Sequence, residues 1–190
     1  MCIRDRYRKG ETVMEETPVG ESSGNGRAED AGKRVREQAK VIKDQIEWKT
    51  KEPIGADEDI LKWLVRWAAM VKTRYARRWT GKTPWEHIRG SQNDMEVVPF
   101  GESVFYRKLK PKGEAPDKLD SQWEEGIWLG HMDRSPEAVI GTREGCVKAW
   151  AIRRKPEGNR WDAAEIRQMR GTPEEPSQEK GGNRFPRKSI

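Results

Sequence analysis

The sequence predicts an α+β chain in which helices come first and a small β-barrel follows. Three observations carry that prediction. Apolar residues recur at steps of three and four up to about residue 79, and at steps of two from Glu96 onward. All nine tryptophans lie between Trp48 and Trp161, which concentrates core-forming side chains in the middle. The ends are polar, and 37% of the chain is Asp, Glu, Lys or Arg against 33% hydrophobic. Leu, Ile, Val and Phe make up only 30 of 190 residues, below the ~20% level at which disorder becomes a concern. A net charge of only +6 argues against disorder throughout. The expected division is a disordered 1–20, a helical 21–92, a barrel over 93–156, and an extension with a disordered tail over 157–190.

Residues 1–20 show no apolar period and read as disordered. Their opening, Met1-Cys2-Ile3-Arg4-Asp5-Arg6-Tyr7, resembles translated sequencing adapter, so the protein is expected to continue upstream. The first helix follows the turn Gly24-Asn25-Gly26. Ala28, Ala31, Val35, Ala39, Ile42 and Ile46 make one stripe over roughly five turns, and Pro53 lies beyond the helix end. The second helix begins after Asp57-Glu58-Asp59, acids that suit the positive end of a helix dipole. Its stripe is Ile60, Leu64, Trp67 or Ala68, Val71, Tyr75 and Trp79, with Lys62, Arg66, Thr73 and Arg77 opposite. Thr83-Pro84-Trp85-Glu86 reads as a capping box with proline in the first turn, and Gly90 ends that short third helix. A linker is expected near 90–95.

The strand region opens with Val98, Phe100, Val104 and Tyr106, in which Gly101 marks a bulge or bend. Ile127-Trp128-Leu129 lies in a second strand. Ala138-Val139-Ile140 and Cys146 to Ile152 are two more, joined by the turn Thr142-Arg143-Glu144-Gly145. Several short strands within about 60 residues suggest closure into a barrel, because an open sheet leaves edges exposed. Gly171 to Ile190, rich in Gly, Pro, Glu and Lys, reads as a solvated tail.

Several functional classes lack their residues. No apolar run approaches the ~18 residues that span a membrane, and the charged first residues do not make a signal peptide. Cys2 and Cys146 form neither a disulfide framework nor a C-x-x-C zinc motif, so a reducing intracellular compartment is the default expectation. His87 and His131 stand alone and read as surface or core histidines. The sequence holds no Ser-His-Asp set, and the Gly24–Gly26 turn lacks the lysine of a phosphate-binding loop. Charge is directional in one place. Between Asp59 and Glu86 there is no acid, but there are seven bases: Lys62, Arg66, Lys72, Arg74, Arg77, Arg78 and Lys82. This segment, with the strand end Arg153-Arg154-Lys155, predicts phosphate-mediated DNA binding of little sequence preference. A solvated amphipathic helix accounts equally for the basic face of the second helix. Glu29 lies in the first turn of the first helix, where acids are common for dipole reasons alone.

Asn25-Gly26-Arg27-Ala28-Glu29 resembles the Asn-Gly-x-x-Glu signature of Copia-type retrotransposon integrases. Gly81-Lys82-Thr83-Pro84-Trp85-Glu86 is similar to that family's Lys-Thr-Pro-Tyr-Glu, and Gly126-Ile127-Trp128-Leu129-Gly130 to its Gly-Ile/Val-Phe-Leu-Gly strand. The order of the three motifs extends the resemblance from about Pro18 to Pro173, and the sequence style is similar to polyproteins abundant in dinoflagellate genomes. The resemblance implies the helical end of a ribonuclease-H-like catalytic core followed by an SH3-like barrel. It also implies that Glu29 is the third carboxylate of an Asp-Asp-Glu site holding two Mg2+ ions. Lys33 and Arg36, four and seven residues later, would then contact the DNA end. Implied partners are DNA, the rest of the integrase core and further copies in a nuclear integration complex.

The departures are specific. Only 28 residues precede Glu29, and neither Asp ligand of the family has a fitting counterpart among them. The family's zinc-binding His-His-Cys-Cys domain is missing too, and Asp30 stands where a basic residue is usual. A lone carboxylate does not hold two Mg2+ ions, so no catalysis is expected from this polypeptide, and no cofactor for it alone. The expected function is therefore that of an integrase fragment retaining DNA-binding elements. The alternative is a non-catalytic nucleic-acid or chromatin-binding module without a catalytic parent. Because the rest of the core is missing, the apolar stripes of the helices are expected to be partly exposed.

Overall fold

The computed structural model describes residues 26–107, 121–133 and 135–176, with Arg27 described by its backbone alone. The expectations for residues 1–20, for Gly24 and Asn25 and for the end of the tail lie outside the described residues. The helices are α1 (Gly26–Thr50), α2 (Ile60–Arg74), α3 (Pro84–Arg89) and α4 (Ala163–Gln168). The strands are β1 (Ser103–Arg107), β2 (Trp123–His131), β3 (Ala138–Thr142), β4 (Gly145–Ala149) and β5 (Ile152–Arg154). The chain is α+β, as expected.

The helix-forming signals act as read. α1 uses its stripe from Val35 onward, with Ile42 and Ile46 buried, whereas Ala28 and Ala31 are exposed. Its C-terminal turn is tied to the next segment by Glu47, whose carboxylate accepts from Lys43 Nζ at 2.5 Å and from the Ile54 amide at 2.8 Å. The lysine bond, followed by the amide, holds that carboxyl below the usual range. The α3 capping box is complete. Thr83 Oγ1 accepts from the Glu86 amide at 3.1 Å, Glu86 returns a bond to the Thr83 amide at 2.7 Å, and Gly90 closes the helix at φ +74°. α2, by contrast, stops at Arg74. The stripe expected to reach Trp79 therefore fails, and Trp79 sits outside the helix, 96% exposed.

The strands form an open antiparallel sheet of order β4-β3-β2-β1-β5, not the closed barrel expected. Among the described residues β4 and β5 are the two edges. The edge problem is met by other means. β5 is only three residues long and basic, both features that discourage further pairing. On β4, the Cys146 amide donates to Pro176 O at 2.6 Å, so a later segment of the chain covers it. Two strand expectations also shift. Val98 and Phe100 are buried but irregular, because the chain turns at Gly101 (φ +86°) before β1 begins. The single strand expected from Cys146 to Ile152 breaks at Trp150-Ala151, and its second half crosses to pair with β1.

The largest correction concerns the helical stripes. The described residues from Val35 onward form one compact unit, and α2 does not wait for an absent sheet. Ile60, Trp63, Leu64, Trp67 and Ala68 are buried in one cluster with Val104, Ile127, Trp128 and Ile140 from the sheet. The Trp67 and Trp128 rings meet edge to face at 4.8 Å and 83°. The β2–β3 register shifts between Trp128 and His131, and within that irregularity Gly130 adopts φ +111°. A Cβ at Gly130 would come within 2.6 Å of the Trp67 ring, so only glycine allows this approach. His131 is a core histidine, its ring nitrogens 2.8 Å from Glu96 O and 3.1 Å from Pro136 O. Glu96, just after the stretch expected to be a linker, is thereby held against the sheet.

The beginning of the expected solvated tail is also structured. Asp59, expected to serve its own helix, makes no side-chain cap bond and instead accepts from the Gly171 amide at 3.0 Å. Trp63 Nε1 donates to Gly171 O at 2.9 Å. Residues 169–176 thus strap the start of α2 to the β3–β4 hairpin, with Thr142 bridging Arg170. Beneath the strap Cys146 is fully buried, and desolvation pushes its thiol up to about 12. A thiolate is the reactive form, so this cysteine should be inert while the strap is in place. In a Cys2→Ser background, thiol-specific reagents at neutral pH are expected to label Cys146 only as fast as the chain opens. Labelling at the rate of a free thiol would contradict the strap.

Candidate nucleic-acid interface

The eleven residues assigned to DNA or metal separate into two groups once their partners are known. Three basic residues are committed to the protein. Arg74 is 5% exposed, donating to Met132 O at 3.2 Å and Asp133 O at 2.9 Å, with its guanidinium 4.7 Å from the Trp85 ring. Desolvation draws its pKa below the ordinary arginine value. Arg154 forms a two-pronged bond to Glu102, Nε at 2.7 Å and an Nη at 2.8 Å, and this bond raises its pKa. Lys155 is buried between Glu125 at 2.8 Å and Glu165 at 3.6 Å, and its bond holds the Glu125 carboxyl below the usual range. Arg66 is intermediate. It pairs with Asp133 at 3.1 Å and lies 5.2 Å from the Trp63 ring.

The second group faces solvent. Arg77, Arg78 and Lys82 are exposed, as is Arg153, whose guanidinium stacks 4.3 Å from the Trp123 ring. Glu29, Lys33 and Arg36 recur at steps of four and three along α1, and all three are exposed. Among the described residues, no three His, Cys, Asp or Glu side chains converge as metal ligands. Glu29 by itself does not fit a two-Mg2+ site.

The segment between α2 and α3 is ordered by its own backbone. The Gly81 amide donates to Arg78 O at 2.9 Å, closing a four-residue turn, and the Arg78 amide donates to Lys82 O at 3.0 Å across its base. Gly81 supplies φ +77°. Arg77 reaches Gly81 O at 3.4 Å, and Thr80 Oγ1 lies 3.1 Å from His87 Nε2, which fastens the turn to α3. Trp79 occupies the first central position of this turn. The sequence does not announce its exposure, because the helical period continues on paper through Arg74. The usable signal is Gly81 two residues later, a turn marker that outranks one more apolar step.

A second exposed tryptophan, Trp48, lies near two lysines, with Lys49 Nζ at 4.8 Å and Lys51 Nζ at 4.6 Å from its ring. An open groove of about 320 Å3 runs beside α3, lined by Trp85, Arg89, Met95, Asp133 and Pro136 among others. Arg89 lies 5.3 Å from the Trp85 ring, so cation and indole meet there too. The chain matches no protein-family model, no curated protein and no solved structure.

Proposed function

We propose that the chain binds nucleic acid without catalysis, as the C-terminal part of a Copia-type integrase with an incomplete Asp-Asp-Glu site. In that reading α1 to α3 end a ribonuclease-H-like core, and the five-stranded sheet is its SH3-like domain. The supporting observation is the α2–α3 turn, where Arg77, Arg78 and Lys82 are exposed and have no acidic partner among the described residues. Such cations attract phosphates without regard to sequence. Lys62 and Lys72 extend the same acid-free stretch, and Lys33 and Arg36 add charge on α1. A second reading, a self-contained binding module without a catalytic parent, is favoured by one specific observation. The α2 stripe is buried on this chain's own sheet, so residues 35–176 do not require an absent core.

Labelled duplex DNA titrated at two salt concentrations tests the proposal. Affinity is expected to fall steeply as salt rises. Replacing Arg77, Arg78 and Lys82 together by alanine should reduce the log–log salt slope by about 0.9 for each phosphate that is no longer neutralised. Binding that is absent at low salt, or that ignores salt, overturns the reading. With Mg2+ or Mn2+ the same preparation should neither process nor join a transposon-end duplex. Metal-dependent nicking that disappears in Glu29→Gln would contradict the claim of an incomplete site.

A further inference from the structure

We propose that the Trp79 turn is a stacking platform for unpaired bases, which gives the chain a preference for frayed or single-stranded DNA ends over continuous duplex. The inference rests on the nucleic-acid reading above and names the form of DNA that this surface selects.

An indole 96% exposed contributes nothing to the core. Here it is not on a loose loop. The turn is closed by the Gly81–Arg78 and Arg78–Lys82 backbone bonds and fastened to α3 through Thr80 and His87. The backbone at the apex is therefore already in place, so only the Trp79 side-chain torsions remain to be ordered when something stacks on the ring. Arg78 and Lys82 stand at the base of the apex and Arg77 at its root, all exposed. An exposed aromatic ring on a turn that also carries three exposed cations matches a nucleotide, with the base against the ring and the flanking phosphates against the charges. In a duplex the base faces are covered by their neighbours, so the ring can engage only a terminal or unpaired base. The cations, in contrast, act on either form. A membrane surface would also meet tryptophan and basic residues, but interfacial binding draws on a continuous apolar face. The neighbours of Trp79 at the apex are Arg78, Thr80 and Gly81.

The test compares a blunt duplex with the same duplex carrying a single-stranded overhang, using the full chain and its Trp79→Ala and Trp79→Phe variants. Trp79 lies outside the core, so its replacement leaves the fold intact. The wild-type chain should bind the overhang more tightly. Trp79→Ala should lose roughly tenfold on the overhang substrate, within the range of base–aromatic stacking, while moving blunt-duplex affinity less than about twofold. Trp79→Phe should retain part of the preference. Equal losses on both substrates would overturn the inference. So would salt-sensitive duplex binding with no overhang preference in the wild type, although the nucleic-acid reading would then stand. Binding of neither substrate removes both. Capture by phosphatidylserine vesicles that depends on Trp79, with overhang binding unchanged by Trp79→Ala, would overturn the inference in favour of a lipid surface.

Discussion

Residues 26–92 and residues 93–176, prepared as separate polypeptides, are each expected to lack a cooperative unfolding transition, while mixing them restores one. The physical reason is the shared core. Cutting between them takes Ile46, Ile60, Trp63, Leu64 and Trp67 away from Val104, Ile127, Trp128 and Ile140, and each piece is left with a bare apolar layer. A helix pair or a small sheet of this size has little stability without the layer that covers it. The same interface can be weakened in the intact chain. Trp67 meets Trp128 edge to face and fills the space above Gly130. Trp67→Ala should therefore cost about 3–5 kcal/mol, the range found for large aromatic side chains removed from cores. Chemical denaturation followed by circular dichroism measures both effects. A sheet fragment that melts cooperatively alone, or a Trp67→Ala variant of unchanged stability, would show that the two layers are independent.

Arg154→Ala is the second large effect, and it is expected in stability before it is seen in binding. Glu102 is fully buried, and its carboxylate is held by both prongs of Arg154 and approached by Arg160 at 3.7 Å. Removing Arg154 leaves the buried Glu102 short of its main partner; for a pair buried on both sides this costs about 3–5 kcal/mol, and with the Arg154 side chain 39% exposed the expected loss lies below that range. Arg160 lies too far to replace a two-pronged bond. Arg153→Ala, one residue away and contacting only the Trp123 ring, should change stability by less than about 1 kcal/mol. The pair separates two meanings of a basic strand end. If Arg154→Ala leaves the denaturation midpoint unchanged and reduces DNA affinity, the Glu102 bond is not structural and Arg154 belongs on the interface. If the midpoint falls and affinity falls with it, the binding loss reports unfolding.

Local signals in the sequence are legible where one short segment decides the outcome. The α3 capping box, the two-residue β3–β4 turn and the α1 stripe from Val35 to Ile46 all depend on neighbours within a few residues. Signals that depend on distant partners are not legible. Nothing local says that Asp59 holds Gly171, or that Arg154 and Lys155 face Glu102 and Glu125 rather than a phosphate. A run such as Arg153-Arg154-Lys155 reads as one basic patch, yet its residues have different partners: Arg153 lies over Trp123, Arg154 binds Glu102, and only Lys155 is buried. The barrel expectation fails for a related reason. Counting short strands indicates that edges must be managed, but not that a late segment ending at Pro176 manages one of them. The residues of the candidate interface are half legible: the charge of the α2–α3 segment is in the composition, whereas the role of Trp79 requires knowing where α2 ends.

The strap across the start of α2 has a consequence for the order in which the molecule can be completed. Ribosomes release the chain from its N-terminus, and Asp59 and Trp63 emerge more than a hundred residues before the glycine that binds them. Until residue 171 is available, the Asp59 carboxylate and the Trp63 indole N–H lack their partner in the fold, and until Pro176 follows, the amide of Cys146 on the outer strand is open to any passing strand. A nascent chain stalled before that point carries an unfinished sheet border and an unfastened helix start. Its window of vulnerability to association during synthesis closes once residues 169–176 have left the ribosome and docked.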